Sequence, residues 1–412
     1  MGSVRASRDN GPRIAIVGGS MAGLFAGVSL RARGYSVEVY ERASEGLANR
    51  GAGVATHSAL DEAIERARIN VHRDTGVQST GRVMFDAAGT VVGELDSPQR
   101  MTSWGLLYHL LRHEFGDAAY HHGFELQDIV AQGDALEARF ANGEAVECDY
   151  LIAADGARST VRRLVAPEAT LEYCGYFAWR GLIEENRLAP EVLPIVGERM
   201  ALNMAPGGHW LGYLVPGPHD DVTRGRRFYN WAWYRTADEQ LYRDHLTDQH
   251  GRLYSHGIPH HLVRQTFVDT LRHESREYLA PPIQSIVAST PHPYLQGIFE
   301  VGCDRLIHDR VIIIGDAAFT ARPHVGLGVT KAAQDATLLA TAFGDAGDMQ
   351  SWERARLAYG KAALAWSRDL GSYCGPPPQN PREREKAAHH QRPEVLLAET
   401  AASHPNRFLA RY

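Results

Sequence analysis

Gly18-Gly19-Ser20-Met21-Ala22-Gly23, with Glu41 eighteen residues beyond Gly23, is a set of residues suited to holding a dinucleotide. A diphosphate is held best where small residues let it approach backbone N–H groups at a helix N-terminus, whose dipole favours anions. A carboxylate at the end of the next strand can take a ribose diol. Ser20 stands at the central glycine of G-x-G-x-x-G, so the fingerprint departs from its strict form. Alone, it leaves open a tight β-α turn with no ligand.

A second set is Asp155-Gly156-Ala157-Arg158-Ser159, delivered by the apolar run Leu151-Ile152-Ala153-Ala154. Asp-Gly is a common turn pair, so an ordinary strand exit would look the same. In a third, Val311-Ile312-Ile313-Ile314 leads into Gly315-Asp316, and a turn with Arg322-Pro323-His324, Gly326 and Gly328 follows. The C-terminal end of a strand is where open α/β sheets bind ligands. Standing alone, Asp316 would read as a helix N-cap.

These motifs need elements to place them. Residues 14–17 are the continuous apolar run of a strand buried on both faces. Residues 21–33 have helical spacing, Gly34 suits a helix end, and residues 37–40 read as a second strand, completing β-α-β. A helix is predicted over 104–115, and short strands near 135–140 and 145–153. Between about 172 and 290 the pattern becomes strand-like and aromatic, over 176–183, 200–203, 209–215 and 226–235. Helices are predicted over 326–343 and 351–369, and the chain beyond Pro376-Pro377-Pro378 reads as a polar tail. The fold class expected is α/β: a Rossmann-like nucleotide domain with an inserted, mostly antiparallel sheet and C-terminal helices. Its expected segments are 13–170, 171–295 (the sheet), 296–375 and a tail over 376–412.

Composition excludes several alternatives. The chain has 412 residues, 44% hydrophobic and 22% charged, with a net charge of −6 and no basic stripe of a nucleic-acid binder. Cys148, Cys174, Cys303 and Cys374 include no C-x-x-C pair, so no metal site is expected. No apolar run approaches the roughly 20 residues of a membrane span. The first twelve residues have no apolar core of a signal peptide and read as a disordered lead-in. A cytoplasmic protein is expected, with homodimer formation left open. The pairs His121-His122, His260-His261 and His389-His390 read as surface histidines.

Taken in this order, the three motifs resemble those of the group A FAD-dependent aromatic hydroxylases, which share the para-hydroxybenzoate hydroxylase fold. Within them the chain is most similar to the 2,6-dihydroxypyridine 3-monooxygenase branch. The resemblance runs from about residue 13 to 370, with Ser103-Trp104, Leu107-Tyr108, Trp179-Arg180-Gly181 and Trp231-Ala232-Trp233-Tyr234 adding to it. It implies that Gly18, Ser20 and Gly23 cradle the FAD diphosphate and that Glu41 binds the adenosine ribose. It sets Arg50 and Arg112 near the diphosphate or ribityl region, and Asp155 and Gly156 in a motif shared by FAD and NAD(P)H. Asp316 is implied for the ribityl chain, Pro323 for the isoalloxazine border, and Gly328, Val329 and Thr330 for the helix start facing the flavin.

The activity so implied is hydroxylation of an electron-rich aromatic or pyridine ring through a C4a-hydroperoxyflavin, consuming NADPH or NADH and molecular oxygen. A flavin oxidase or dehydrogenase of the same fold, or a hydroxylase of a bulkier natural product, stays open. Trp231-Ala232-Trp233-Tyr234-Arg235 lacks the Ile-Pro associated with flavin halogenases. For the substrate, Trp210, Tyr213, Tyr229 and Trp231 are the aromatic candidates, with sheet packing the competing reading of each. His324 is the candidate base, an imidazole being able to titrate near neutrality. The segment His209-Trp210-Leu211-Gly212 lacks the arginine that para-hydroxybenzoate hydroxylase carries there, which argues against a simple benzoate.

Overall fold

A computed structural model describes residues 11–47, 53–69, 75–254 and 257–412. Arg50 and most of the lead-in lie outside the described residues. The apolar runs read from the sequence form one six-stranded sheet. Its order is Ile307–His308, Val311–Ile313, Tyr150–Ala153, Arg13–Val17, Ser36–Glu41 and Tyr120–His122. All neighbours are parallel except the pair at the Ile307–His308 edge. Ile16 pairs with Ile152 on one side and Val39 on the other, and all three are buried. Helices cover one face, where Met21–Arg31 and Gly328–Ala342 pack against each other. A three-stranded antiparallel sheet, Leu126–Gln132, Ala135–Phe140 and Ala145–Cys148, covers the other, with Phe140 against Tyr40, so the parallel sheet is buried on both faces.

The second sheet has nine strands, in the order Phe319–Thr320, Tyr294–Gly302, Glu172–Glu184, Phe228–Thr236, Gly208–Val215, Arg199–Ala205, Val77–Phe85, Val91–Ser103 and Gly53–Ala55. It is antiparallel apart from the pairing of Arg199–Ala205 with Val77–Phe85. Three of its strands come from inside the span 13–170. The polar strand Val91–Ser103 carries little alternation to announce it.

Side-chain parity divides this sheet cleanly. Phe177, Trp179, Trp210, Tyr229, Trp231 and Trp233 pack on one face against Leu271, Ile283 and Ile286 of the helices Gln265–Tyr278 and Pro281–Ser289. Tyr176, Ala178, Leu211, Tyr213 and Tyr234 belong to a separate cluster on the opposite face. Neighbouring residues of a strand point to opposite faces, so the indoles and the cavity side chains share strands without touching the same space.

The segment after residue 375 forms the helices Pro381–His390, Pro393–Glu399 and Asn406–Leu409. Buried Arg82 holds it down by donating to the carbonyls of Leu397, Thr400 and Ala401. Among the described residues no helix is long and apolar enough to cross a membrane.

Candidate active site

The ends of three parallel strands open onto a cavity of about 390 Å³. Gly18 leaves its strand at φ +103°, and a Cβ there would lie 2.3 Å from the Ala154 carbonyl oxygen. A Cβ at Gly23 would lie 1.9 Å from the Gly18 carbonyl oxygen. Both glycines are therefore demanded by the turn itself, as well as by any phosphate it holds. Ser20 precedes the helix Met21–Arg31 in extended conformation and does not cap it, so the first N–H groups remain available beside the cavity. Glu41 stands at the end of its strand and lines the cavity. Its Oε2 accepts from Gly19 N at 2.8 Å and its Oε1 from Ala43 N at 2.9 Å, which fixes the carboxylate.

Asp155 closes the same cavity. Its Oδ2 accepts from the N–H groups of Thr160 and Val161, at 2.7 and 3.2 Å, and so supplements the N-cap Ser159 of the helix Thr160–Val165. Oδ1 is buried and has no partner among the described residues. Burial pushes this carboxyl above its usual range. Gly156 follows at φ +79°.

Asp316 exposes 48% of its side chain, at the junction of this cavity with a second. Its nearest cation is Lys331, whose Nζ is 4.0 Å away. Lys331 also meets Asp335 at 3.4 Å, and Asp335 accepts from Arg356 at 2.6 Å and from Gly315 N at 3.0 Å.

The second cavity, about 600 Å³, shares Trp104, Arg158, Asp316, Gly328 and Val329 with the first. Gly328 and Val329 begin a 15-residue helix whose N-terminus receives no side-chain cap. Thr330 is buried instead and bonds His57 Nδ1 at 2.9 Å. The floor is the cavity face of the nine-stranded sheet, and Pro323 and His324 form part of the wall.

The imidazole of His324 is buried, with Nε2 2.8 Å from the Tyr176 hydroxyl and Nδ1 unpartnered among the described residues. Its ring centroid is 4.4 Å from that of Tyr234 and 5.3 Å from that of His209. Burial, His209 and Arg322 together hold it well below the ordinary imidazole range. A terminal base that must become a buried cation is thus disfavoured here. His324 is set up as a neutral hydrogen-bonding partner of Tyr176.

The structure assembles the glycine turn, Ser20, Glu41, Asp155, Gly156, Asp316, Pro323, His324, Gly328, Val329 and Tyr213 around the joined cavities. It removes others. Arg112 turns away to the Gly116 carbonyl and Asp117, with its guanidinium stacked 3.8 Å from the Tyr120 ring centroid. Trp210, Tyr229 and Trp231 lie in the far core, and Trp231 Nε1 donates to Thr290 there. Tyr213 is three residues from Trp210, an odd separation, so one strand could not present both to the cavity.

Several cavity residues were not singled out as site residues from the sequence: Arg42, Trp104, Arg158, Arg180 and Asn230. No arginine lies in the segment 209–212, but Arg180 reaches the cavity from the next strand but one, beyond Phe228–Thr236. Thr400 and Ala401 also line the cavity, so the expected polar tail forms part of its wall.

The donor set fits a flavin dinucleotide: two uncapped helix starts, a fixed acidic residue at the second strand and the orphaned Asp155 oxygen, all on one continuous space. The comparisons agree. A family described as "FAD binding domain-like" matches residues 173–300, and one described as "FAD binding domain" matches residues 297–367. The chain is 32% identical over 368 residues to 2,6-dihydroxypyridine 3-monooxygenase of Paenarthrobacter nicotinovorans, covering 85% of this chain and 89% of that protein. It is 24% identical to 6-hydroxynicotinate 3-monooxygenase of Pseudomonas fluorescens, covering 82% and 83%. The solved structure of 2,6-dihydroxypyridine-3-hydroxylase from Arthrobacter nicotinovorans superposes with a TM-score of 0.83 at 29% identity, over 90% of this chain and 95% of that one. Klebsiella pneumoniae HpxO complexed with FAD and uric acid shares the fold, with a TM-score of 0.73 at 20% identity over 97% and 95%.

Proposed function

The chain belongs to the FAD-dependent aromatic monooxygenases of the para-hydroxybenzoate and salicylate hydroxylase class, and from that premise we propose that it hydroxylates a hydroxylated aromatic or pyridine ring, consuming NAD(P)H and molecular oxygen. One observation supports this most directly: the dinucleotide cavity opens into a second, aromatic-lined cavity across Asp316, Gly328 and Val329.

In this reading Gly18, Ser20 and the start of Met21–Arg31 hold the FAD diphosphate, Glu41 and Arg42 the adenosine side, and Asp316 the ribityl chain. Gly23 packs the helix against the turn. Asp155 and Gly156 complete the wall, and Pro323 borders the ring system. Bound FAD supplies the redox chemistry, accepting hydride from the nicotinamide and delivering one atom of oxygen to the substrate ring. The N-terminus of Gly328–Ala342 gives a positive dipole end where negative charge develops on reduction. Tyr213, Asn230 and Tyr234 orient the ring, and His324 keeps Tyr176 in place without taking a charge. The wall of Pro323, Thr400 and Ala401 keeps water from the reacting face. Residues 171–295 thus supply most of the substrate floor, and 13–170 with 296–375 most of the cofactor site.

The test is NAD(P)H oxidation by the purified holoenzyme under oxygen-18, with and without hydroxypyridines and phenols, 2,6-dihydroxypyridine among them. A ring-stimulated rate with one labelled oxygen in the product is expected. Oxidation indifferent to every ring, or product formed without label, would refute the proposal.

A further inference from the structure

Arg180 lines the floor of the second cavity. It pairs across the sheet with Ala232 on one side and Tyr294 on the other, so neither directly opposed residue is acidic. Its Nη1 donates to Gln296 Oε1 at 2.8 Å and its Nη2 more weakly to Asn230 Oδ1 at 3.4 Å. Nε is buried and has no acceptor, and no carboxylate pairs with the guanidinium, among the described residues.

Asn230 is 1% exposed. Its Oδ1 accepts from the backbone N–H of Gly53 at 3.2 Å, which sets the amide's orientation and leaves Nδ2 as the free end. That Nδ2 is also buried without a partner among the described residues. Tyr213 pairs with Asn230 across the strands and lines the same space. Two unmet donors in one wall, one of them on a guanidinium that no carboxylate pairs, are costly unless an acceptor arrives.

Two other cations nearby are held by carboxylates: Arg322 bonds Glu300 at 2.9 Å and Lys331 is held by Asp335. Arg158 has no carboxylate partner among the described residues, but it stands at the boundary between the cavities, over the Phe299 ring at 5.1 Å, and away from the Asn230 amide's strand. His324 is not a group on which to leave a proton.

Resting on the proposed hydroxylation, we infer that Arg180 and the Asn230 amide form an oxyanion subsite, which receives a deprotonated ring hydroxyl and selects hydroxy-heteroaromatic substrates bound as anions. The hydroxyl's O–H bond breaks with its proton going to solvent, and the electron pair stays on the ring oxygen. That pair raises electron density in the ring, which favours electrophilic hydroxylation. The subsite replaces a base by stabilising the base's product.

The experiment uses FAD-loaded enzyme and reads dissociation constants from the change in flavin absorbance on titration. The probes are 2,6-dihydroxypyridine and 2,6-dimethoxypyridine, which cannot ionise at oxygen. Wild type should bind the dihydroxy ring at least about tenfold more tightly than the dimethoxy ring. R180Q should weaken the dihydroxy ring by about ten- to a hundredfold, as loss of a charge-assisted bond does, and leave the dimethoxy ring nearly unchanged. R180K should fall between, keeping charge but losing the planar fork. N230D keeps the Gly53 contact but turns a donor into an acceptor, and should weaken the anion similarly even if R180Q proves poorly folded. Unchanged affinity in an R180Q or N230D protein of normal FAD content would overturn the subsite, as would a wild type with no preference for the ionisable ring. If R180Q loses that preference but wild type forms no hydroxylated product, the subsite stands and the reaction assigned to it falls.

Discussion

Nε2 of His324 lies 2.8 Å from the hydroxyl of Tyr176, and Nδ1 of His209 lies 2.7 Å from that of Tyr373. The two imidazoles are 5.3 Å apart between centroids, side by side under the cavity. Each phenol is itself held well above its ordinary value by burial. The cluster therefore stays uncharged across the neutral range and gives the cavity a fixed, dry wall.

Stability should fall as pH drops below neutrality. Burial lowers His209 to about 3 and His57 to about 4, with Arg82 helping at His57, and His324 also lies well below the ordinary imidazole value. Between those values and about 6.5 the unfolded chain binds protons that the folded chain does not, so unfolding free energy rises with pH in that window and is lost on acidification. Each such histidine contributes a slope of about 1.4 kcal/mol per pH unit at most. Urea midpoints at pH 7, 6 and 5 should show the decline. H209Q should decline less steeply, by about 1 kcal/mol per unit between pH 6 and 5. Parallel slopes would show that His209 titrates alike in both states.

Asp316 and Asp155 should separate cofactor binding from folding. No hydrogen bond ties the Asp316 carboxylate to the described residues, and its one ion pair, to Lys331, is long at 4.0 Å. D316A should therefore lose bound FAD, read as flavin absorbance per protein, while the apoprotein's melting temperature stays within a degree or two of wild type. Asp155 supplements a helix N-cap through two N–H groups. D155A should lose FAD and, in addition, about 1 kcal/mol of stability, the usual worth of an N-cap. A D316A protein that retains FAD normally would remove it from the site.

Much of this architecture was legible because buried parallel strands read as continuous apolar runs, and because glycines mark turns that no side chain can enter. The helix Trp104–Phe115 and the run ending at Ile313 fell where the pattern put them. The nine-stranded sheet was less legible. Its strand Val91–Ser103 is largely polar, and Pro281–Ser289 follows Gln265–Tyr278 without a glycine between them.

Which aromatics line the cavity was the least legible feature. Period 2 separates Tyr229, Trp231 and Trp233 from Asn230, Ala232 and Tyr234, but says nothing of which set meets helices and which meets ligand. The larger side chains went to the helix-covered face, where the most apolar area is removed from water. W231A should thus cost about 3–5 kcal/mol of stability, the range for deleting a buried indole, and leave ring affinity unchanged where the protein remains folded. Y213F should do the opposite, raising the dissociation constant for a hydroxylated ring about threefold to tenfold with little change in stability. Equal effects of both substitutions on ring affinity would mean that the two faces are not independent.

Arg82 ties the C-terminal segment to the wall of the second cavity. It is 1% exposed, and burial alone lowers its guanidinium to about 10. What compensates it is a set of neutral acceptors: the carbonyls of Leu397 and Ala401 at 2.8 Å each, that of Thr400, and Gln99 Oε1 at 3.0 Å. Ala401 N in turn donates to the His324 carbonyl at 2.7 Å, and a Cβ on Gly326 would lie 2.8 Å from that of Ala401. The cavity wall is therefore held from one side by a single cation, with Glu399 securing the other through Trp366 and Arg411, at 3.0 and 2.9 Å. R82M fills the same space but leaves three buried carbonyls without their donor, at about 1–3 kcal/mol for each that water cannot reach. The segment should then detach before the rest of the protein unfolds. Limited proteolysis should cut near residues 376–380 faster than in wild type, and KM for the ring should rise several-fold while FAD content is kept. A wild-type cleavage pattern and KM in R82M would show instead that the three helices hold their place by apolar packing alone, through Leu396 and Leu397 in the sheet cluster and Phe408 against Trp366.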